Sequence, residues 1–338
     1  MDEGFELRLI EALQPVRGFA LAQGIHHLFG SGLYERIAQG PQQIGALAEA
    51  LELDASRTSG FLRYLANEDL VALGGDTVAL TDKGRALGPY RPWYELLVGG
   101  YAETFQQVTD VLRGKGYASR DGRLVGIGSC GISAYDALPL VRGLLTDLPA
   151  PPTSVVDLGC GDGTFLTSLV GDSGSVTGIG VDPYAPQEPT AGAVRFVRAG
   201  ATDYVRQSAA APDVERDPSR LFLAAFLLQE VLEQEGRPAV VELVRSALAQ
   251  GGHLAVVEVD HRPDDPQVMR HGLGLAYYNP YYLLHVLTEQ RLETERFWQD
   301  LFEEAGARVV SRRVVDPRVD STGLEVGYLL TRQEGAAQ

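Results

Sequence analysis

Cysteine is scarce in this chain of 338 residues, which contains only Cys130 and Cys160. Two cysteines in a chain of this length do not make a disulfide framework, and both are interpreted as small filling side chains. Long apolar runs are also lacking, since none reaches the roughly 18–20 residues that span a bilayer. The acidic, amphipathic start lacks the basic segment and apolar stretch of a signal peptide. We therefore expect a cytoplasmic protein without a membrane partner.

The chain also has few positively charged residues. The 29 Lys and Arg residues are outnumbered by 45 Asp and Glu residues, and the net charge is −16. A duplex-binding protein needs a basic footprint, and the sequence has no basic run. We therefore expect no nucleic-acid partner. The acidic balance is compatible with a cationic substrate but does not identify one.

The N-terminal third has the pattern of helices followed by a winged helix. Apolar residues recur at helical spacing from Leu9 to Phe29, and further helices are predicted over residues 44–51 and 56–67. A short hairpin, LVALGG–DT–VALT, follows them. Winged helices often bind DNA, but the second helix here carries only two arginines and no lysine. Dimerisation through residues 1–85 is the interpretation that we favour.

From Ser154 onward, predicted strands and helices alternate. Five apolar segments are predicted as strands, and ARVVSRRVVD and EVGYLLTRQ look like a closing pair. Repeated βα units imply a parallel sheet with helices on both faces, and its ligands lie at the carboxyl ends of the strands. The five strand segments are SVVDL, VTGIGVD, AVRFVRAG, SRLFLAAFLLQ and HLAVVEVD.

A glycine loop, VVDLGCGDGTFL, joins the first of these strands to a helix. Its glycines let a backbone approach a ligand closely and adopt positive φ. The loop is not a phosphate-binding P-loop, because no Gly-Lys-Ser/Thr follows, and its spacing differs from the dinucleotide G-x-G-x-x-G. Asp182 ends the next strand, where an acid can accept hydrogen bonds from both hydroxyls of a ribose.

Residues 154–338 resemble the class I S-adenosylmethionine (SAM)-dependent methyltransferases in the order of their elements. A winged helix in front of such a block is similar to the small-molecule O-methyltransferase-like group, so the resemblance covers the whole chain. It implies an α/β Rossmann-like sheet, parallel with an antiparallel final strand, and SAM as cofactor. It also implies three parts: a helical, winged-helix dimerisation domain (1–92), a helical connector over the active site (93–150) and the SAM-binding domain (151–338). The implied cofactor residues are Asp157, Gly159, Gly161, Asp162, Gly163, Asp182 and Asp203.

One expected motif is missing. The O-methyltransferases of this group carry Leu-His-Asp-Trp after the fourth strand, and its histidine is the general base. The corresponding stretch here is FLLQEVLEQEG, with Glu230 and Glu233 where histidines are expected. A carboxylate can act as a base if its pKa is raised. The phenol-methylating constellation is nevertheless absent, which disfavours plain O-methylation.

The pattern is also similar to the α-keto acid C-methyltransferases, which share this two-domain organisation. Some of them bind iron or zinc, and the corresponding positions here are Glu233 and His285, with His261 nearby as another possible ligand of iron or a divalent metal. The opening FELRLIEALQPVRGFALAQGIHHLF and the segment GSCGISAYDALPLV most resemble the branch that acts on 2-ketoarginine. The resemblance implies methylation at the β-carbon of a small 2-oxo acid, with 5-guanidino-2-oxopentanoate as the leading substrate.

Such a substrate reacts as an enol or enolate, so the site must hold the keto-carboxylate, remove a β-proton and stabilise the oxygen. The candidates for this centre are Gln229, Glu230, Glu233, His261 and His285. A guanidinium tail needs a carboxylate with bidentate geometry and aromatic walls. The candidates for that pocket are Tyr101, Glu103, Tyr135, Asp136, Tyr277 and Tyr278.

Two other functions stay open at this point. The first is O- or N-methylation of an aromatic natural product with a glutamate as base, which the missing histidines disfavour weakly. The second is a non-catalytic regulator that combines the winged helix with a SAM-sensing domain. The acidic character of the second helix of the winged helix and the intact glycine loop with Asp182 argue against the regulator.

Overall fold

The computed structural model describes residues 4–171, 176–186, 193–210 and 217–333. The chain forms two compact units that divide between Gly100 and Tyr101. The predicted first boundary was residue 92, and the functional roles of the three predicted parts stay predictions. Among the described residues, no single helix has the length and apolar character to cross a membrane, and one bent pair, Gly122–Ser133 with Ala137–Leu145, passes that test by length and composition alone.

The first unit is a winged helix preceded by one long helix. Its three short strands form an antiparallel sheet in the order β1-β3-β2, and Gly75 turns the hairpin with a φ of +62°. Asp54 begins the helix α4 by accepting a hydrogen bond from the Arg57 N–H at 2.8 Å. The elements are α1 (Phe5–Gly30), α2 (Leu33–Ala38), β1 (Gln42–Gln43), α3 (Ile44–Ala50), α4 (Ala55–Asn67), β2 (Val71–Gly74), β3 (Thr77–Leu80), α5 (Asp82–Ala86), a 3-10 turn (Gly88–Tyr90), α6 (Arg91–Tyr94) and a π-helical turn (Glu95–Gly100).

The first half of α1 exposes large apolar side chains. They are Phe5, Leu7, Leu9, Ile10, Leu13, Val16 and Phe19. An apolar surface of this extent is typical of a contact with another molecule, because a lone helix gains its stability mainly from packing.

The second unit is a seven-stranded sheet with helices. The elements are α7 (Ala102–Leu112), α8 (Gly122–Ser133), α9 (Ala137–Leu145), β4 (Ser154–Leu158), α10 (Thr164–Val170), β5 (Thr177–Val181), β6 (Val194–Val197), α11 (Ala201–Ala210), β7 (Asp217–Ala225), α12 (Leu228–Glu235), α13 (Arg237–Gln250), β8 (Gly251–Val259), α14 (Pro266–Met269), a π-helical turn (Gly274–Tyr278), α15 (Asn279–Leu287), α16 (Glu295–Glu304), β9 (Ala307–Val314) and β10 (Glu325–Arg332).

The sheet has the strand order β6-β5-β4-β7-β8-β10-β9, and only β10 runs antiparallel to its neighbours. This confirms the predicted sheet with its antiparallel final strand. Along β4, Val156 and Leu158 belong to one apolar cluster and Val155 to another, because successive side chains of a strand point to opposite faces. The chain leaves β4 for β5 on one side and returns to β7 on the other. The carboxyl ends of β4 and β7 therefore mark the switch point at which a ligand cleft is expected.

Candidate active site

The glycine loop lies at this switch point. Gly159, Gly161 and Gly163 have φ angles of +77°, +55° and +80°, which side chains other than glycine rarely adopt. A Cβ on Gly163 would lie 2.3 Å from the ring of Phe196 on β6, which leaves no room for a side chain. The tight loop brings its backbone N–H groups and the first turn of α10 to the edge of the cleft.

Asp182 follows β5 and is fixed by two backbone groups. Its Oδ2 accepts a hydrogen bond from the Gly161 N–H at 3.1 Å, and its Oδ1 accepts one from the Tyr184 N–H at 2.7 Å. Asp157 is buried at the end of β4, and burial first, then the charge of Asp182, raise its pKa to about 8. The structure thus brings both predicted carboxylates to the glycine loop.

The other two predicted cofactor carboxylates have local partners. The Oδ1 of Asp162 accepts a hydrogen bond from the Thr164 N–H at 2.9 Å, in the first turn of α10. Asp203 lies in the first turn of α11, near the carboxyl end of β6, and its side chain is exposed and 3.3 Å from Arg206. Their part in cofactor binding stays a prediction.

The chain enters α12 through a strained residue. Phe226 has a φ of +55°, and such strain is most often found at functional sites. Just beyond it, Gln229 is 1% exposed, and its Nε2 donates to the Phe226 carbonyl oxygen at 3.2 Å. The Gln229 Oε1 is buried without a hydrogen-bond partner. Unpaired polar atoms in a buried site are costly and point to a ligand that completes them.

Glu258, near the end of β8, is a second buried group with an open position. Its Oε1 accepts a hydrogen bond from the Leu228 N–H at 2.8 Å, while its Oε2 has no partner. Burial raises the pKa of this carboxyl group to about 8, against the opposing effect of the N–H groups of Leu228 and Gln229. Glu258 was not among the residues predicted from the sequence, although a single acid inside the apolar run HLAVVEV was a usable signal.

The two glutamates proposed as bases are already paired. Glu230 forms an ion pair with Arg120, and Glu233 accepts a hydrogen bond from the hydroxyl of Tyr117. Arg120 and Tyr117 belong to the segment between α7 and α8, which the Ala118 N–H also joins to the Leu287 carbonyl oxygen at 2.8 Å. These contacts make both glutamates part of a fixed network and bring a largely buried guanidinium to the site.

His285, on α15, is 2% exposed and has one unpaired nitrogen. Its Nδ1 lies 2.8 Å from the Tyr281 carbonyl oxygen, which can only accept, so Nδ1 carries the proton. The lone pair is therefore on Nε2, which is buried without a partner. Burial lowers the pKa of His285 to about 3, and the charge of Arg120 contributes to this shift in the same direction. The imidazole is thus neutral, with its Nε2 lone pair unoccupied.

His261 follows β8, as predicted, and its ring contacts a tyrosine. Its ring packs edge-on against Tyr282, with 4.8 Å between ring centroids, and burial lowers its pKa. Among residues 4–171, 176–186, 193–210 and 217–333, no group of three or more His, Cys, Asp or Glu side chains could hold a metal ion. Metal binding by Glu233 and His285, with His261 as a further ligand, stays a prediction.

The predicted substrate residues separate into two groups. Tyr101, Asp136 and Tyr278 are buried and Tyr277 is partly buried, whereas the side chains of Glu103 and Tyr135 are exposed. Tyr101 donates to the Oε1 of Gln290 at 3.1 Å, and Tyr278 donates to the Oδ2 of Asp320 at 2.6 Å. Glu103 accepts a hydrogen bond from the Ser119 hydroxyl at 2.9 Å instead.

This strand order, with a glycine loop and a fixed acid at the first two strand ends, defines a class I SAM-dependent methyltransferase. A family model described as a methyltransferase domain matches residues 134–312. A relative, the 2-ketoarginine methyltransferase of Streptomyces arginensis, is 80% identical over 338 residues, which is 100% of both chains. The chain belongs to the SAM-dependent methyltransferase family.

Solved structures share the whole fold at low identity. LaPhzM has a TM-score of 0.69 at 15% identity, covering 96% of this chain and 99% of its own. Human N-acetylserotonin methyltransferase, solved in complex with SAM, has a TM-score of 0.64 at 15% identity, covering 98% of this chain and 99% of its own. At this identity the likeness establishes the fold.

Proposed function

We propose that this enzyme transfers a methyl group from SAM to the β-carbon of 5-guanidino-2-oxopentanoate (2-ketoarginine). The observation that carries the proposal is the 80% identity, over the full length of both chains, to 2-ketoarginine methyltransferase. That relationship favours a 2-oxo acid over an aromatic acceptor and a catalyst over a regulator. The remaining proposals concern the residues that bind the cofactor, remove the proton and form the dimer.

The glycine loop and Asp182 fit the cofactor. Gly159, Gly161 and Gly163 leave the space in which an adenosyl group can approach the backbone, and Asp182 keeps lone pairs for a ribose. SAM supplies an electrophilic methyl group and leaves as S-adenosylhomocysteine. Asp157, Asp162 and Asp203 are proposed to contact the ammonium and adenine ends of the cofactor.

His285 is proposed as the base. Its Nε2 lone pair accepts a proton from the β-carbon of the substrate, and the electron pair of that C–H bond forms the enolate. The enolate carbon then attacks the methyl group. Arg120 is near enough to affect the pKa of His285, and its guanidinium is proposed to hold the substrate carboxylate. Gln229, Glu230, Glu233 and His261 would position these two groups.

Residues 1–85 are proposed to form a homodimer. The apolar side chains exposed on α1 would be covered by a second copy of the chain, as a monomer rarely leaves such a surface in water. Sedimentation equilibrium should give a dimer for the enzyme and a lighter species for the double variant Leu9→Glu and Leu13→Glu. An unchanged dimer in that variant would place the interface elsewhere.

Mass spectrometry of methyl transfer and hydrogen exchange tests the function. The enzyme is incubated with 5-guanidino-2-oxopentanoate in D₂O, with and without SAM and with and without a chelator. We expect deuterium at the β-carbon without SAM and a gain of one methyl group with SAM. Loss of methyl transfer with the chelator would point to a metal at Glu233 and His285. Methyl transfer to none of several 2-oxo acids, with SAM bound, would favour O- or N-methylation.

A further inference from the structure

Two buried carboxyl groups meet at the start of β10. Glu325, its first residue, is 3% exposed and pairs with Val259 at the carboxyl end of β8. Asp136, immediately before α9, is 8% exposed, and its Oδ1 accepts a hydrogen bond from the Ala137 N–H at 2.5 Å. Burial, and after it the charge of Asp136, raise the pKa of Glu325, so the two carboxyl groups are close enough to interact.

The pair lacks a cation. Within the part of the chain that the structure describes, no Lys, Arg or His forms an ion pair with Asp136 or Glu325, and only acidic and polar groups influence their ionisation. Burial raises the pKa of both carboxyl groups. The Oε1 of Glu325 is also buried without a hydrogen-bond partner. A buried acid pair with an open acceptor is costly unless a positively charged, hydrogen-bonding group completes it.

Tyrosine rings connect this pair to His285. Tyr277 is near enough to both carboxyl groups that their charges raise its pKa, although burial has the larger effect. Its ring centroid is 5.7 Å from that of Tyr281, which in turn lies 3.9 Å from the centroid of His285. The acid pair and the proposed base thus stand at the two ends of one aromatic wall.

We propose that Asp136 and Glu325 bind the guanidinium group of the substrate against Tyr277, while its 2-oxo acid end reaches His285. The proposal rests on the proposed function and deepens it. A guanidinium is planar, offers five donors, pairs with carboxylates through two parallel hydrogen bonds and packs flat against aromatic rings. In this assignment the free pair shares one proton, which is released to water on binding so that two carboxylates face one cation.

Selectivity between two matched substrates tests this assignment. 5-Ureido-2-oxopentanoate has the same shape as 5-guanidino-2-oxopentanoate but a neutral tail. For wild-type enzyme we expect kcat/KM to favour the guanidino compound by at least about 100-fold, and Glu325→Gln to reduce that preference by about 10- to 100-fold, mainly through KM. The matched control Glu303→Gln, an exposed acid on α16, should keep the wild-type preference.

Other outcomes would overturn the assignment. If wild-type enzyme uses both substrates equally, or if Glu325→Gln lowers kcat/KM equally for both, the acid pair is structural and the proposed function still stands. SAM affinity measured by calorimetry verifies that each variant is folded. Asp136→Asn, expected to show the same loss of preference, replaces Glu325→Gln if that variant does not fold.

Binding of butylguanidine separates this proposal from the methylation itself. It carries the tail without the 2-oxo acid, so it can bind even if no 2-oxo acid is methylated. Calorimetry with wild-type enzyme in two buffers of different ionisation enthalpy should show binding with release of about one proton. Failure to bind at millimolar concentration, or binding without proton release, would contradict the subsite regardless of the substrate that is finally methylated.

Discussion

The substitution Gly163→Ala tests whether the glycine loop holds the cofactor. Gly163 has a φ of +80°, and an added Cβ would lie 2.3 Å and 2.4 Å from two ring atoms of Phe196. Carbon atoms in ordinary contact are roughly 3.5–4.0 Å apart. The Phe196 ring or the loop must therefore shift by more than about 1 Å.

Two effects contribute to the expected loss. Placing alanine in the left-handed region costs about 1–2 kcal/mol. Overpacking a filled space adds about 1–3 kcal/mol. We expect the free energy of unfolding to fall by about 2–5 kcal/mol from these two terms. Since the shift displaces the backbone that faces the cofactor, SAM affinity should fall by about tenfold for each 1.4 kcal/mol of binding free energy that is lost.

Gly32→Ala is the matched control. Gly32 has nearly the same backbone angles as Gly163, with φ +76° and ψ +2° against +80° and 0°, but an added Cβ there lies 3.3 Å from the end of the flexible Leu51 side chain. It should therefore show the backbone cost in chemical denaturation while calorimetry finds wild-type SAM affinity. If Gly163→Ala binds SAM within about threefold of wild type, the placement of the cofactor against this loop is refuted. If it loses no more stability than Gly32→Ala, the predicted clash with Phe196 is refuted.

Three further results are expected. His285→Gln should lower kcat and SAM-independent deuterium exchange by about 100- to 10,000-fold without changing SAM affinity, because it removes the proposed base. An exchange rate equal to that of wild-type enzyme would exclude His285 as the base. Asp182→Ala should weaken SAM binding strongly in calorimetry, since its carboxylate is proposed to bind the ribose, and near-normal affinity would contradict that role. The carboxyl groups of Asp157 and Glu258, with pKa values raised to about 8, keep their protons in the folded state but lose them on unfolding. The free energy of unfolding should thus fall as the pH rises from about 5 to 8, by up to about 1.4 kcal/mol per pH unit for each proton. Glu258→Gln should flatten this slope in urea denaturation, and an unchanged slope would show that Glu258 does not hold the proton.

The fold was largely predictable because its signals are local. The signals are the strand segment Val155–Leu158, the glycines after it and Asp182 at the end of the next strand. Few kinds of sheet have these features in this order. The hairpin of the winged helix was predicted from its turn residues and is confirmed as β2 and β3. The glycine-rich segment GIGSCG was harder to predict, because glycines disfavour helices, yet it lies inside α8. Cys130 of this helix packs against Gly161, where its Sγ would lie 3.2 Å from an added Cβ.

The site was only partly predictable, because its residues come from distant segments. His285 was proposed from its position on a late helix, and the structure adds that its Nε2 is buried without a hydrogen-bond partner. Glu230 and Glu233 were proposed from their positions alone, whereas Arg120 and Tyr117, which pair with them, carry no motif. Glu325 was missed as well, although a single acid at the head of an apolar strand was a signal that could have been used. Pairings of this kind depend on tertiary packing, which periodicity does not encode.

The atom that receives the methyl group distinguishes C-methylation from O- and N-methylation. The enzyme is supplied with 5-guanidino-2-oxopentanoate and SAM that carries a ¹³C-labelled methyl group, and the product is examined by NMR. We predict a labelled methyl signal that is split by one proton on the β-carbon and correlates with the keto carbon. A labelled methyl attached to oxygen or nitrogen, which would show no such splitting, would contradict the account.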